Sequence, residues 1–572
     1  MQADTADLIN SKDQTHKISA TSSTTPVALN ANQWGYSLNK SSTIFSAIPA
    51  GAQATPAVVA DVTKAKPAGC TNPANCTKQV TFVANVDPAK LASGSYSTVI
   101  TYTATAKPKP APVKWTVRTA KTNPSELCQS GNVNSSCLVD LDSNMIPVKY
   151  TGTTTNAQWT SLANPEDSSN QGDWYNYNNK QWANALTVKP EALSKYKNQT
   201  KAVDQADILG YWVYIPRYRY RVLRFSGSSL PVPAQNFTIE FENKHSTKAI
   251  PTANGTWATH PAFTFGKKEL NGIWFAKFET TGTTSQPTVL PNEAHISGYC
   301  SGMDYKVGNL YSLSKTLGIN DPNNVGGGDF TTTQNNHHLA KFSSHMVNNN
   351  DWGAATYLSA SKYGAGYNKV QINANGAHHG GIYYDSYGTT GCGPQSNGNT
   401  DRYNNSGTLG TSQACGNANR AYNGAIGQLA STTNNPTGIY DMSGGGDEYV
   451  AASYTSDIRL HNSSTGYYFS QPANAPYVNN YNLTDPNNCT FATCGGQALY
   501  ETNFGGTGGS YQWNSNYIYF VNSSNPWFER GGYYDDGSSA GLFYVGNGDG
   551  DVGRSDGNLY AFRVALAPAP QD

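Results

Sequence analysis

Charge is scarce in this chain. Only 13% of its 572 residues are Asp, Glu, Lys or Arg, and the 38 basic residues balance the 38 acidic ones. That is about half the usual charged share. No basic stripe is present, which argues against nucleic acid as a partner. Long apolar runs are lacking as well. Nothing approaches the ~20 residues that a membrane helix needs, so direct membrane insertion is not expected. Catalytic signatures are lacking too: there is no Gly-Lys-(Ser/Thr) phosphate loop, no metalloprotease motif and no Ser marked by a His partner. Met1 is followed directly by Gln2-Ala3-Asp4-Thr5, which is not a signal-peptide pattern. A native export signal or anchor is therefore expected outside this sequence.

Cysteine is present, and its spacing is informative. Eight of the nine cysteines fall in close pairs: Cys70 with Cys76, Cys128 with Cys137, Cys392 with Cys415, and Cys489 with Cys494. Each pair encloses a loop rich in Asn, Gly, Ser or Thr. Such loops bury little apolar surface, so a disulfide is the natural way to hold them. The spacings are not Cys-x-x-Cys, which weakens a metal reading. Disulfides place the protein in an oxidising setting, extracellular or at the cell surface. Cys300 is left over and reads as a buried free thiol. The adjacent pairs His337-His338 and His378-His379 read as surface or loop histidines. No cofactor is expected. Asn547, Asp549 and Asp551 alternate like the start of a calcium loop, but Val552 and Asn558 stand where an EF-hand needs Gly and Glu. A looser calcium site stays open.

The chain divides by pattern. Residues 1–14 read as a flexible N-terminal tail. Val80–Val86 and Tyr96–Ala104 largely alternate apolar and polar residues, as half-buried strands do. With Lys17–Ala20 and Val27–Ala31 they suggest an Ig-like β-sandwich spacer over 15–120. A disulfide-stapled linker over 121–139 leads to one large domain at 140–567, and 568–572 is a C-terminal tail. Within the large domain, Trp174–Ala185 predicts a hairpin turning at Asn178-Asn179. Met346–Leu358 predicts a helix. The remainder of 320–436, rich in Gly, Asn, Ser and Thr, predicts long loops.

The C-terminal stretch from Asn525 to Leu566 carries the functional signal. Between Arg530-Gly531-Gly532 and Phe562-Arg563-Val564-Ala565-Leu566 lies a run made mostly of Tyr, Asp, Gly, Ser and Asn. Tyr offers large contact area at low entropy cost, and Ser, Gly and Asn offer adaptable hydrogen bonding, as in an antibody paratope. Candidate ligand-binding residues are Phe528, Glu529, Tyr533, Tyr534, Asp535, Asp536, Ser538, Ser539, Tyr544, Asn547, Asp549, Asp551, Arg554, Ser555 and Asp556. Tyr533, Tyr534 and Tyr544 are the expected anchors.

Those two framing motifs resemble the C-terminal signature of formylglycine-generating-enzyme-like proteins, a branch of the C-type-lectin fold. Gly438-Ile439-Tyr440-Asp441-Met442-Ser443-Gly444 with Glu448-Tyr449 resembles a second block of that family, with Gly445 in place of its usual Asn. Gly210–Arg217 and Gly272–Glu279 look like its two early core strands, and Asp351–Ser359 like its central helix. The blocks keep the family's order over 210–566. The resemblance implies a mainly β fold with some α: an N-terminal Ig-like β-sandwich, then a C-type-lectin-like α+β domain with long loops. It also implies that Arg530, Arg563 and Glu448 are structural.

The family's active enzymes carry oxidising cysteine chemistry after the Arg-Gly-Gly motif. Here Tyr533–Ser539 has no cysteine, and the last one in the chain is Cys494, so the reading is not an enzyme. The same frame looks like the variable proteins of diversity-generating retroelements, with a variable-type region at about 527–558. Randomised adenines in such systems do not produce Trp, Met, Gln, Glu or Lys, and none of these occurs from Tyr533 to Asn558. The expected function is an adhesin- or receptor-type surface protein that binds a protein or glycan on another cell or surface. A fixed structural or fibre subunit, and a formylglycine-type oxidase with relocated chemistry, remain the alternatives.

Overall fold

The chain forms two compact units, Met1–Val117 and Arg118–Asp572. The computed structural model describes short stretches of the first 101 residues and most of 139–568. The longer stretches it leaves undescribed are 47–80, 102–138, 166–173, 223–236, 297–306, 325–333, 375–387, 395–414, 455–475, 500–516 and 549–559. The Cys70, Cys76, Cys128 and Cys137 positions, the 121–138 linker and Cys300 lie outside the described residues.

The first unit is built from strands. One sheet runs in the order Thr81–Asn85, Gln33–Ser37, Lys17–Ala20, Leu8–Asn10, Tyr96–Ser97. A separate pair joins Gln2–Ala3 to Ile100–Thr101. Within the expected tail, Gln2–Ala3 and Leu8–Asn10 are therefore paired strands. Gln2 stands opposite Thr101, and Leu8 opposite Ile18. Pairing satisfies the backbone groups that an open sheet edge would leave unbonded, and Leu8-Ile9 bring apolar side chains to it. The strand expected at Val27–Ala31 falls slightly later, at Gln33–Ser37, where Trp34 is buried.

The second unit is mainly β with a few helices. Its largest sheet has seven strands, in the order Phe342–Met346, Val564–Pro568, Gly272–Ala276, Ile208–Pro216, Asn184–Val188, Met145–Tyr150, Trp159–Ser161. Every pairing in it is antiparallel. Ile208–Pro216 is buried along its whole length, which is why it reads as an unbroken apolar run rather than an alternating one. Pro568, expected in the tail, ends the last strand opposite Phe342.

A second sheet orders Asn479–Tyr481, Asp447–Tyr454, Trp527–Gly531 and Gly541–Gly548. Tyr560–Phe562 adds in parallel to the start of Asp447–Tyr454. The chain thus passes from one sheet to the other within two residues, at Arg563. The expected turn near Asn178 is present as a tight 3-10 turn, with Asn176 bridged to Gln181 and Lys180 left-handed at φ 58°. Cys392 and Cys415 are disulfide-bonded with Cα atoms 5.4 Å apart. Cys494 is also disulfide-bonded, to a partner outside the described residues.

The predicted helix is Asn349–Ala360. It starts at a capping box: the Asn348 side chain accepts from the N–H groups of Asn350 and Asp351, and the Asp351 carboxylate accepts from the Asn348 N–H. Trp352 donates its indole N–H to the Leu542 carbonyl at 2.9 Å, which fixes the helix to the Gly541–Gly548 strand. Glycine in a helix interior ordinarily costs about 1 kcal/mol against alanine. Gly353 is required here because a Cβ would stand 1.9 Å from the Gly496 carbonyl oxygen. Gly353→Ala should therefore destabilise by about 3 kcal/mol despite its better helix propensity. A denaturation midpoint equal to or above the parent's would overturn this account.

Candidate ligand-binding edge

The edge rests on a frame of buried charge. Arg530 lies fully buried in the Trp527–Gly531 strand. Its guanidinium donates to Asn349 Oδ1 and to the carbonyls of Gln497, Ala498 and Leu542, over 3.3–3.5 Å. The same group lies over the Trp352 ring. Burial pulls its pKa down to about 9. Arg563, also fully buried, grips both Glu448 oxygens through Nε at 3.2 and 3.0 Å. It also donates to the Ala276 and Tyr440 carbonyls at 2.9 Å each. Both arginines tie loop and strand carbonyls together, as the motif reading expected, and Glu448 is the buried acceptor of Arg563.

Three carboxylates converge around that one guanidinium. Glu279 accepts from the Gly446 N–H at 2.7 Å and stands 3.2 Å from His295 Nδ1. Asp441 accepts from Asn373 Nδ2 at 2.8 Å and from the Gly391 N–H at 2.9 Å. Burial pushes Asp441 up to about 7, and the nearby Glu279 carboxylate adds to the shift. Burial pushes Glu448 up as well, against the pull of Arg563. His337, expected as a surface or loop histidine, lies in a turn but is buried. It takes the Thr187 hydroxyl at Nδ1, 2.7 Å away, and faces the Pro287 carbonyl with Nε2 at 3.1 Å. A shape-filling neutral imidazole suits that slot, and burial holds its pKa down at about 4.

The candidate residues divide sharply on this frame. Phe528 is a core residue, not a face residue: it is fully buried, with its ring 4.8 Å from Tyr481 and 5.2 Å from Phe520. Its strand is covered on both sides, so alternation cannot turn it outward. Glu529 and Tyr544 are buried too, at 5% and 7% exposure. The Glu529 carboxylate lies flat on the neighbouring strand. A Cβ at Gly546 would meet one of its oxygens at 2.7 Å, and a Cβ at Gly548 would meet the other oxygen and the Tyr449 ring at 2.7 Å each, so a larger residue at either position requires these side chains to shift. Tyr544 stands among Asp447, Asp536 and Glu529. Burial and then those charges push its phenol well up, so it stays a protonated donor at neutral pH.

Beyond Gly532 the chain comes to the surface. Tyr533 and Asp536 are half-buried and close a tight turn on each other. The Tyr533 N–H donates to the Asp536 carboxylate at 3.0 Å, and the Asp536 N–H to the Tyr533 carbonyl at 3.0 Å. Tyr534 is buried, and its N–H donates to the Gly445 carbonyl. Ser539 is half-buried. Asn547 donates its amide to the Phe520 carbonyl at 2.7 Å. Asp535, Ser538, Asp549, Asp551, Arg554, Ser555 and Asp556 lie outside the described residues.

The sequence reading missed one element of this edge. Tyr517–Phe520 runs beside the Gly541–Gly548 strand, with the Tyr519 N–H on the Val545 carbonyl and the Val545 N–H on the Tyr517 carbonyl. Tyr519 is 40% exposed, and its ring centroid lies 4.3 Å from that of Tyr517. Tyr517 in turn stacks towards Tyr544 at 6.5 Å. The period-two pattern Tyr517-Ile518-Tyr519-Phe520 was the available signal. Among the described residues no group of three His, Cys, Asp or Glu could hold a metal ion. What the edge offers is a row of aromatic rings with neutral phenol donors, suited to stacking and hydrogen bonding.

No protein-family model matches this chain, and no curated protein matches it.

Two outcomes test the frame. Arg563→Met leaves Glu448 buried without its partner and should cost about 3–5 kcal/mol; a loss under about 1 kcal/mol in chemical denaturation would refute the linchpin role. The second concerns pH. Folded Asp441 binds its proton up to about pH 7, whereas the unfolded chain releases it near ~3.9. The folded state therefore holds the extra proton, and stability should fall as pH rises from about 4 through about 7. Asp441→Asn should flatten that decline. Urea midpoints with the same slope in both proteins would reject the assignment.

Proposed function

We propose that this chain is a surface-displayed binding protein of the adhesin or receptor type. Its second unit is a C-type-lectin-like domain of the formylglycine-generating-enzyme-like branch, and its first unit is an Ig-like spacer. The binding face is the tyrosine edge at Tyr517, Tyr519 and Tyr533 together with the Tyr533–Ser539 turn, and it is diversified by a retroelement. The observation that carries this reading is the exposed Tyr519 ring, held against Tyr517 beside a strand whose own side chains are buried. Rigid aromatic surface on a fixed scaffold is what adaptable recognition uses. The disulfides fit an exported protein. The ligand is a protein or glycan on another surface.

Sequencing codons 510–566 across a natural population carrying the gene tests diversification. Substitutions should gather at 533–539 and 549–558 and spare Phe528, Arg530, Tyr544, Gly546, Gly548 and Arg563. An invariant stretch would remove the retroelement and leave a fixed binder or a fibre subunit. Binding itself is tested by Tyr519→Ala with Tyr533→Ala, against immobilised glycans and whole-cell surfaces. Loss of about 2 kcal/mol or more of affinity, roughly thirtyfold, is expected with an unchanged melting temperature. Equal affinity would move the face elsewhere.

A further inference from the structure

The chain's zero net charge hides a local imbalance. Residues 217–270 hold eight Lys and Arg against three Glu and no Asp. The structure gathers most of these on and around one small sheet, made of Phe237–Phe241, Tyr218–Val222 and Ala258–Thr259. Tyr218, Tyr220 and Val222 turn into the core, which leaves Arg219 and Arg221 on the outer side. Arg219 stands opposite Glu240 and Thr259 in the register.

The two arginines are held in place by one indole. The Arg219 guanidinium lies 4.8 Å from the Trp257 ring and that of Arg221 5.3 Å from it. Arg219 is further committed to Glu240, with Nε 2.7 Å from the carboxylate. Glu242 is buried, whereas Glu269 is 33% exposed and is shared between Arg217 and Lys248, whose Nζ stands 3.7 Å from it. Buried Arg217 stands 2.6 Å from Glu269 and 3.6 Å from Glu242. The carboxylates are thus engaged, while Arg221, Lys244 and Lys267 have no carboxylate partner among the described residues. The next segment out is bonded to this sheet through Ala249 and Thr259. It carries exposed Lys248, whose Nζ donates to Thr264 Oγ1 at 2.8 Å, in the hairpin that bears Lys267 and Lys268.

We propose that this surface, centred on Arg221, Lys244, Lys248, Lys267 and Trp257, is a docking site for an acidic polysaccharide bearing uronate or sulfate groups. Arg221 is pre-oriented by the indole and presents a planar fork that matches a carboxylate or sulfate. Lys244, Lys248 and Lys267, towards the Tyr218 end of the same sheet, supply point charges that tolerate a polymer with irregularly spaced anions. Trp257 is half-buried and engaged by two guanidiniums, so it is not the open stacking platform that single-stranded nucleic acid uses. This surface is independent of the tyrosine edge and gives the protein a second, sequence-fixed grip.

The test is retention of the full chain on immobilised heparin and polygalacturonate, with neutral dextran as the reference. Binding to the acidic polymers but not to dextran is expected, and it should weaken steeply as salt rises. Arg221→Gln/Lys244→Gln/Lys267→Gln should weaken it by roughly tenfold, about 1.4 kcal/mol. The double variant Lys244→Gln/Lys267→Gln should show a smaller loss. A control with the same charge change, Lys189→Gln/Lys197→Gln/Lys201→Gln, alters exposed lysines near the Trp159–Ser161 edge strand and should leave binding unchanged. Equal losses in both triple variants would reduce the effect to net charge and overturn the site. Tighter binding to single-stranded DNA or to phosphatidylserine vesicles than to either polysaccharide would overturn the ligand class. Far-UV circular dichroism melts confirm that each variant is folded.

Discussion

At Arg563 the chain leaves one sheet and enters another, and a cation is buried at the crossing. Removing a guanidinium from water costs several kcal/mol unless charge and hydrogen bonds are restored around it. Glu448 restores the charge from the second sheet. The Ala276 carbonyl restores a bond from the seven-stranded sheet, and Tyr440 one from the loop between them. Each partner comes from a different part of the sequence, so satisfying one side chain fixes the mutual placement of three elements. Two further buried carboxylates stand beside it, Glu279 holding the Gly446 N–H and Asp441 the Gly391 N–H. Burial and the neighbouring Glu279 carboxylate push Asp441 up, so part of the cluster's negative charge is relieved by a proton held there.

Scarcity of charge in the composition has a structural counterpart. Many of the charged side chains that do occur are placed inside: Arg217, Glu242, Lys277, Glu279, Asp441, Glu448, Arg530 and Arg563 are all buried. Lys277 is an extreme case. Among the described residues no carboxylate lies at hydrogen-bond distance from it; it is satisfied by the Asn184 amide oxygen at 3.0 Å and the Gly438 carbonyl at 2.7 Å, and burial pulls its pKa well down. Internal charges of this kind select one packing arrangement over near alternatives, because a misregistered chain would strand them unpaired.

Much of the second unit was legible in the sequence because its signals are local. Ile208–Pro216 is an unbroken apolar run, Asn349–Ala360 opens with an Asn-x-x-Asp capping box, and Leu542-Phe543 mark a buried strand. Arg530 and Arg563 were readable as carbonyl ties because the motif resemblance marked them as structural and an arginine fork suits loop carbonyls. What escaped depends on contacts distant in sequence. Phe528 is buried because Tyr481 and Phe520 close over it, and nothing in its own neighbourhood says so. Tyr517–Phe520 joins the edge only through Val545. The Gln2–Ala3 strand exists only because Ile100–Thr101 lies beside it. The basic surface escaped for another reason: its cations are scattered over some fifty positions, and averaging over the whole chain cancelled them.

The carboxylate of Glu529 lying across Gly546 and Gly548 has an evolutionary meaning. It divides the C-terminal stretch into ground that can bear mutation and ground that cannot. A side chain at either glycine would have to push the Glu529 carboxylate aside, and at Gly548 the Tyr449 ring as well, so change reaching that far inward would carry a packing cost. A lineage that diversifies this surface therefore gains from confining change to the turn after Gly532 and the segment after Gly548. The glycine pair marks where surface gives way to packed core.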